Sequence, residues 1–467
     1  MKQLISSFII VTVILVYYIL FRGLTVELVL FPIFLCGLLC MYNIFKILSL
    51  PLPYNNISLS VWIFSFISSF MAPIINISSG IWALYLYPVP SDWLPYATIV
   101  SFVYLVGLII YKWVLSLPVV SKEFSSLWVP KSNAVPILLG LMTISLIAQL
   151  YVYNSFGGIV GYMMAYTDSE SSINSAFSGM GSFFIISELF PYLFLIALVI
   201  KLKDKRLSKI KQFLLIFSLF CVVMFFGGLR GSRSNTVLFM TMSLIALHRF
   251  VFKLSKSYIF LLIAFFFTFM YIGRIYKNSG INMIQNGQIE FLESKSNLNF
   301  AEEVIIGDLS RFSINTYELY RLDGNTHYQY RKGETYLWGG LTFIPLGNRI
   351  IKAFDIDSRS EAINDLFKTE ANSRILGVYG EWLINFGRYT FIIPYLILAY
   401  ILFGMKKYTL RIPKDDIRQI LIPIIFVFIP QLLISDSSNI MFFFIKRILL
   451  VWLALYLISN KKRIIQY

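Results

Sequence analysis

Apolar runs long enough to cross a bilayer recur along most of this chain, and a single long polar segment, residues 276–388, interrupts them late. A hydrocarbon core needs roughly 20 apolar residues per helix. On that measure about twelve spans are expected, near 4–21, 26–46, 58–77, 94–117, 136–153, 182–200, 212–228, 236–252, 257–275, 389–405, 419–434 and 438–458. Inside lipid a helix satisfies every backbone polar group within its own segment, so the expected fold class is an all-α polytopic membrane protein. Residues 1–275 would hold the first nine spans, 276–388 a large outer loop and 389–467 the last three. A composition of 58% hydrophobic and 14% charged residues agrees with that class and not with a soluble globule.

The polar segment carries twelve basic and fourteen acidic residues, the balance of a folded, water-facing cap and not of a charged tail. Within it, Ile305, Leu309, Phe312 and Leu319 recur at helical spacing and predict an amphipathic helix over 302–322, lying across the membrane domain. A shorter helix is expected over 360–367, with turns at Gly339-Gly340 and Pro345-Leu346-Gly347-Asn348. A second outer loop, 154–181, is rich in glycine, which suits tight turns at the membrane surface.

Orientation follows from Lys and Arg in alternate short loops. With the N-terminus inside, cytoplasmic segments collect 22 basic and four acidic residues, a net +18, and the remainder balances to −2. The overall +16 is thus a topology signal, which excludes a nucleic-acid partner and sets 276–388 on the outer side. Cys36, Cys40 and Cys221 all lie in apolar runs, so neither a disulfide nor a thiolate metal site is expected. The first run lacks a small-residue cleavage pattern and is expected to remain as a span.

Three groups of residues stand out chemically. In Gly227-Gly228-Leu229-Arg230-Gly231-Ser232-Arg233-Ser234-Asn235, the arginines Arg230 and Arg233 meet a helix N-terminus, whose open N–H groups and dipole suit a phosphate. The alternative is a helix cap with the arginines reaching headgroups. Lys446 and Arg447 lie eight to ten residues inside the last span, on the order of 12 to 15 Å deep at 1.5 Å per residue. Lipid contact there would be costly, which points to a polar cavity or to carbonyls satisfied within the protein. Glu381, Asn385 and Arg388, spaced by four and three, are expected on one helical face, with Glu381 either a base for a sugar hydroxyl or half of a structural ion pair. Asp355-Ile356-Asp357 is an isolated metal-type pattern, and His248 and His327 stand apart from other ligands, so no metal is expected.

The 227–235 segment resembles the Wzy-type O-antigen and capsule repeat-unit polymerases. So do Gly333-Glu334-Thr335-Tyr336-Leu337 leading to Phe343-Ile344-Pro345, and Gly380-Glu381-Trp382-Leu383-Ile384-Asn385-Phe386-Gly387. The plan of many spans with one large late outer loop is similar too. The resemblance implies a metal-independent, GT-C-like glycosyltransferase of the bacterial inner membrane, without a cofactor, its termini cytoplasmic and its active site periplasmic. It implies transfer of the growing glycan from undecaprenyl pyrophosphate to the non-reducing end of a lipid-linked repeat unit. A chain-length regulator in the same membrane is an expected partner, beside the undecaprenyl-pyrophosphate-linked oligosaccharide itself. The expected roles are Glu381 and Arg388 at the reacting centre, and Arg230, Arg233, Lys446, Arg447 and Arg311 on the pyrophosphate. An O-antigen ligase, which uses the same donor, and a lipid-linked oligosaccharide flippase are the alternative readings.

Reporter fusions test the charge partition. Fusions after Lys211, Lys256 and Lys407 are expected to report cytoplasm and one near Gly324 the outer side; an outer signal at Lys211 would reverse the orientation.

Overall fold

The computed structural model describes residues 26–50, 56–79, 93–119, 123–167, 181–203, 205–230, 233–254, 268–269, 310–325, 327–344, 346–367 and 375–463. The expected span 4–21, and 257–275 apart from residues 268–269, lie outside them.

The chain opens with α1 (Val26–Leu48), α2 (Ser58–Phe66), α3 (Ala72–Ser79) and α4 (Trp93–Leu115). Next come β1 (Ser126–Pro130), α5 (Ala134–Ser155), α6 (Ile159–Thr167), α7 (Gly181–Ser187), α8 (Phe190–Leu202), α9 (Lys209–Phe226) and α10 (Arg233–Phe250). The polar segment contributes α11 (Phe312–Gly324), α12 (Glu334–Leu341), α13 (Gly347–Ala353), α14 (Arg359–Phe367) and α15 (Gly377–Phe386). Then follow α16 (Ile392–Leu410), α17 (Leu421–Ile434), α18 (Ser437–Phe443), α19 (Leu450–Leu457) and β2 (Ser459–Arg463).

Among the described residues, eight helical stretches are long and apolar enough to cross a membrane: 28–48, 58–78, 93–115, 134–155, 181–202, 209–226, 417–434 and 437–457. The chain is therefore a mostly helical membrane protein. Helices α10 and α16 coincide with two further expected spans, but their charged ends lower their hydropathy. Two spans carry a π-helical turn, Ile67–Met71 between α2 and α3 and Phe444–Leu449 between α18 and α19. Such a turn re-aims the side chains around it and recurs at functional places.

The helices form two units, one of residues 1–122, 296–411 and 428–442, the other of 123–295, 412–427 and 443–467. In the first, α4 packs along α1, α11 and α16. Gly107 lets the ring of Tyr395 lie on the α4 backbone, where a Cβ would clash with it. Along α11, Tyr320 meets Tyr96 and Phe312 meets Tyr104, with ring centroids 5.7 and 6.1 Å apart, so the two helices run antiparallel. The expected amphipathic helix lying across the membrane domain is thereby corrected. Phe312, Ser313, Asn315, Thr316, Tyr317, Glu318 and Leu319 are all buried. Polar residues between apolar ones read as water-facing by spacing, yet Asn315, Thr316 and Glu318 face protein.

The short helix expected over 360–367 is α14, and Leu346, with φ 68°, makes the turn into α13. Gly339-Gly340 is not a turn, since both residues lie inside α12. Gly339 instead permits a close helix approach, because a Cβ there would meet Ser437 Oγ at 2.8 Å and the backbone nitrogen of Ser438 at 2.9 Å.

In the second unit, α5 packs on α7 and α8, and α8 also meets α9, α10 and α19. Among the described residues the all-α expectation has one exception, an antiparallel ribbon in which Ser126 of β1 lies opposite Arg463 of β2 and Pro130 opposite Ser459. Asp416 accepts the Trp128 N–H at 2.9 Å, while Arg418 pairs with Asp416 at 2.6 Å and donates to the Ser126 carbonyl at 2.7 Å. These two loop charges are thus a buried structural pair. In the glycine-rich loop, Gly157 and Gly158 adopt φ of 74° and 102°, as tight turns require.

Gly339→Ala is expected to cost roughly 1 to 3 kcal/mol through overpacking. Thermal unfolding in detergent checks this, with Gly340→Ala as the neutral control, since a Cβ there meets open space.

Candidate functional site

The two motif segments of the large loop meet in the first unit. Glu381 and Asn385, one helical turn apart on α15, are both buried. The Oε1 of Glu381 accepts from the hydroxyls of Thr335 at 3.0 Å and Ser437 at 2.5 Å, and its Oε2 accepts the Ser437 N–H at 2.6 Å. Asn385 donates to the Thr335 hydroxyl at 2.7 Å and accepts the Gly333 N–H at 2.9 Å, with Gly333 turned to φ 100° to offer it. Next to this cluster Asp436 pairs with Arg359 and accepts the Asn439 N–H at 3.2 Å, capping α18. Burial pushes the Glu381 carboxyl up, against the opposing donors Ser437 and Thr335 and the charge of Arg359. With its oxygens committed to three donors, Glu381 has the geometry of an anchor between α12, α15 and α18.

Arg388 does not share that helical face. Gly387, at φ 76°, ends α15, and Arg388 turns out to pair with Asp323 at 2.9 Å and lie over the Tyr389 ring. Arg311 also belongs to the first unit, where it donates to the carbonyls of Ile434 at 3.1 Å and Ser310 at 2.7 Å. It lines a cleft of about 50 Å³ with Ser65, Ser68, Tyr104, Asn315 and Tyr379. Of the metal-type pair, Asp357 is bound to Arg331 at 2.6 Å. The Nδ1 of His248 accepts the Leu254 N–H at 3.0 Å, and His327 is exposed.

The second unit holds the buried cations. Lys446 and Arg447 are 2% and 3% exposed on the π-helical turn 444–449. Lys446 forms an ion pair with Glu188, and Arg447 donates to the Asn235 side chain and lies 4.5 Å from the centroid of the Phe443 ring. Asn235 brings the end of the 227–235 segment to Arg447. Arg230 closes a 3₁₀ turn and Arg233 opens α10, but their side chains lie outside the described residues. Gly227 and Gly228 serve packing: a Cβ on Gly227 would stand 3.4 Å from the Glu188 carboxyl carbon, and one on Gly228 would stand 2.5 Å from the Met224 sulfur. The adjoining cavity is about 20 Å³, room for one or two waters.

Sequence reasoning missed Glu188, Asp436 and Glu318. Glu188 carried a signal, since it is a lone acid inside an apolar run and calls for a basic partner at membrane depth. Fold and site together define a helical membrane protein with buried, paired charges. Comparison with family models, curated proteins and solved structures finds no match.

Removing one partner of a buried ion pair strands the other, so Lys446→Met and Glu188→Gln are each expected to cost about 3 to 5 kcal/mol. The double variant should recover most of that loss in a detergent unfolding cycle, whereas additive costs would mean the two side chains act independently.

Proposed function

We propose that the chain is a membrane glycosyltransferase of the polysaccharide-polymerase type. It moves a growing glycan from undecaprenyl pyrophosphate to a lipid-linked repeat unit at the periplasmic face of the bacterial inner membrane. The observation that carries this reading is the cluster of Thr335, Glu381, Asn385 and Ser437. It joins the two large-loop segments that resemble polymerases into one hydrogen-bonded unit. The cleft lined by Arg311, Asn315 and Tyr379 adjoins it through α15 and through Ile434, which precedes Ser437 on the chain. Around these parts the reading assumes a GT-C-like frame of about twelve spans, with both termini cytoplasmic.

In the reaction the acceptor hydroxyl attacks the anomeric carbon of the donor glycan while the bond from that carbon to the pyrophosphate oxygen breaks. A fixed cation stabilises the charge that develops on the leaving group more than the charge already present in the ground state. Arg311 is the cation this reading assigns to that task. Lys446 is already countered by Glu188, and the cavity beside Arg447 is smaller than the cleft beside Arg311. Glu381 positions the cluster, and Arg388 pairs with Asp323 outside it.

Deletion in the source strain followed by gel analysis of surface glycan tests the class. Loss of a polymerase leaves lipid A core bearing one repeat, whereas loss of a ligase leaves none and loss of a flippase strands the repeat inside. At residue level, Arg311→Ala should lower turnover about a hundredfold, as loss of one oxyanion donor does, and Arg311→Lys should restore it only in part. The exposed Lys205→Ala is the unaffected control. A full-length polymer from well-inserted Arg311→Ala, with loss in Arg447→Ala, would move the pyrophosphate to the second unit.

A further inference from the structure

Contacts within the second unit fix which way its helices run. Just before α5, the Lys131 amine donates to the Leu457 carbonyl at 2.8 Å and the Lys131 N–H to that of Ile458 at 2.8 Å, so α5 begins where α19 ends. Further along α5, the Ser145 hydroxyl donates to the carbonyls of Ile186 and Ser187 at 2.7 and 2.8 Å, and the Tyr151 ring stacks on Phe183. Residues 181–202 therefore run back along α5 toward its start. Helix α9 packs on α8 and returns to Phe225, whose carbonyl accepts the Tyr153 hydroxyl at the far end of α5. One end of this unit thus gathers the loop between α8 and α9 and the β1–β2 ribbon that follows α19.

That end is rich in cations. Over residues 201–211 the loop and its flanks hold Lys201, Lys203, Lys205, Arg206, Lys209 and Lys211 against a single acid, Asp204, and all six cations are exposed. On the ribbon Lys461 and Lys462 are exposed as well. Among the described residues none of these cations forms an ion pair, whereas Arg418, which donates to the ribbon, is already matched by Asp416. Apolar side chains follow the cations along α9. Ile210 is 73% exposed, and Phe213, Leu214 and Phe217 in the next turns are each more than half exposed, with the two phenyl rings stacked. At the end of α19 the rings of Trp128, Trp452 and Tyr456 pack together, and the Lys461 amine stands 4.8 Å from the centroid of Tyr456. Rings of this kind favour the headgroup level of a bilayer, and long cationic side chains reach from that level to its phosphates.

We propose that the 201–211 segment, together with Lys461 and Lys462, is a docking surface for the anionic phospholipids of the leaflet at that end. A phospholipid carries its phosphate above its acyl chains, and this surface presents cations above an apolar strip in the same order. A soluble phosphate would match the cations and leave the strip unused. An anionic leaflet favours each basic residue near it by about fivefold, and the attraction is confined to a Debye length. Cations that served only to orient the chain during insertion would show no such preference in the folded protein. The surface is independent of the glycosyl-transfer reading.

The first test uses the wild-type protein in nanodiscs of phosphatidylglycerol or of phosphatidylcholine with the same acyl chains. Acetylation of Lys203, Lys205 and Lys461, read by peptide mass, should be about fivefold slower in phosphatidylglycerol, and the difference should shrink in high salt. The exposed Lys352 of α13 should react at one rate in both. Equal rates at the three lysines in the two discs overturn the proposal, as does an equal slowing at Lys352. Glycerol 1-phosphate added to phosphatidylcholine discs should protect none of them; protection as strong as the lipid's would make this a soluble-phosphate site and overturn the lipid assignment. The second test removes charge. In mixed vesicles the preference of the protein for spin-labelled phosphatidylglycerol over spin-labelled phosphatidylcholine should fall in the triple variant Lys203→Gln, Lys205→Gln, Arg206→Gln and persist in Lys352→Gln. An inserted triple variant with wild-type preference overturns the proposal. Where that variant fails to insert, the acetylation rates of the wild-type protein decide.

Discussion

A helix leaves its first N–H groups without partners, and in the first unit two acids meet those of α18. Glu381 takes the N–H of Ser437 and Asp436 that of Asn439, where the positive end of the helix dipole favours negative charge. The rest of the cluster is built outward from that contact. Glu381 brings in Thr335, Thr335 brings in Asn385, and Asn385 turns the chain at Gly333 so that α12 can start. Gly339 then allows α12 to reach the backbone at Ser438. A change at any one of these residues leaves buried polar atoms without partners on several elements, and such a network fails as a whole.

Charges removed from water follow the same rule in the second unit. Lys446 and Glu188 neutralise each other inside helices otherwise long and apolar enough to span a membrane. Arg447 finds an amide oxygen and an aromatic face. Both basic residues sit on a π-helical turn, whose altered register sets their directions. In the first unit the other π-helical turn contributes Ser68 and Ser69 to the cleft. Against this background of paired charges, Glu318 is a buried acid whose carboxylate oxygens meet no hydrogen-bond partner among the described residues.

The spans at 28–48, 58–78, 93–115 and 134–155, and those at 181–202, 209–226, 417–434 and 437–457, were legible because lipid demands long apolar runs and intrasegment hydrogen bonds. Segment 227–235 and the residues Glu381, Asn385, Lys446 and Arg447 could also be singled out, since a charge or a glycine cluster beside an apolar run is visible in one dimension. Spacing misled where the surroundings were not solvent. It made α11 a surface helix though it is buried, and it carried one helical face through Gly387 to Arg388, where the helix has already ended.

By itself, then, the sequence determined which segments become helices, that many of them suit a membrane, and which polar residues would have to find partners. The tertiary structure alone decided the partners. Lys446 meets Glu188 across 258 residues, Arg359 meets Asp436 across 77, and Glu381 meets Ser437 across 56, whereas Glu318 meets none among the described residues. The physical reason is that periodicity and apolar length act within a few turns of chain. The balance between desolvating a charge and pairing it depends on distances and burial that exist only once remote segments have packed.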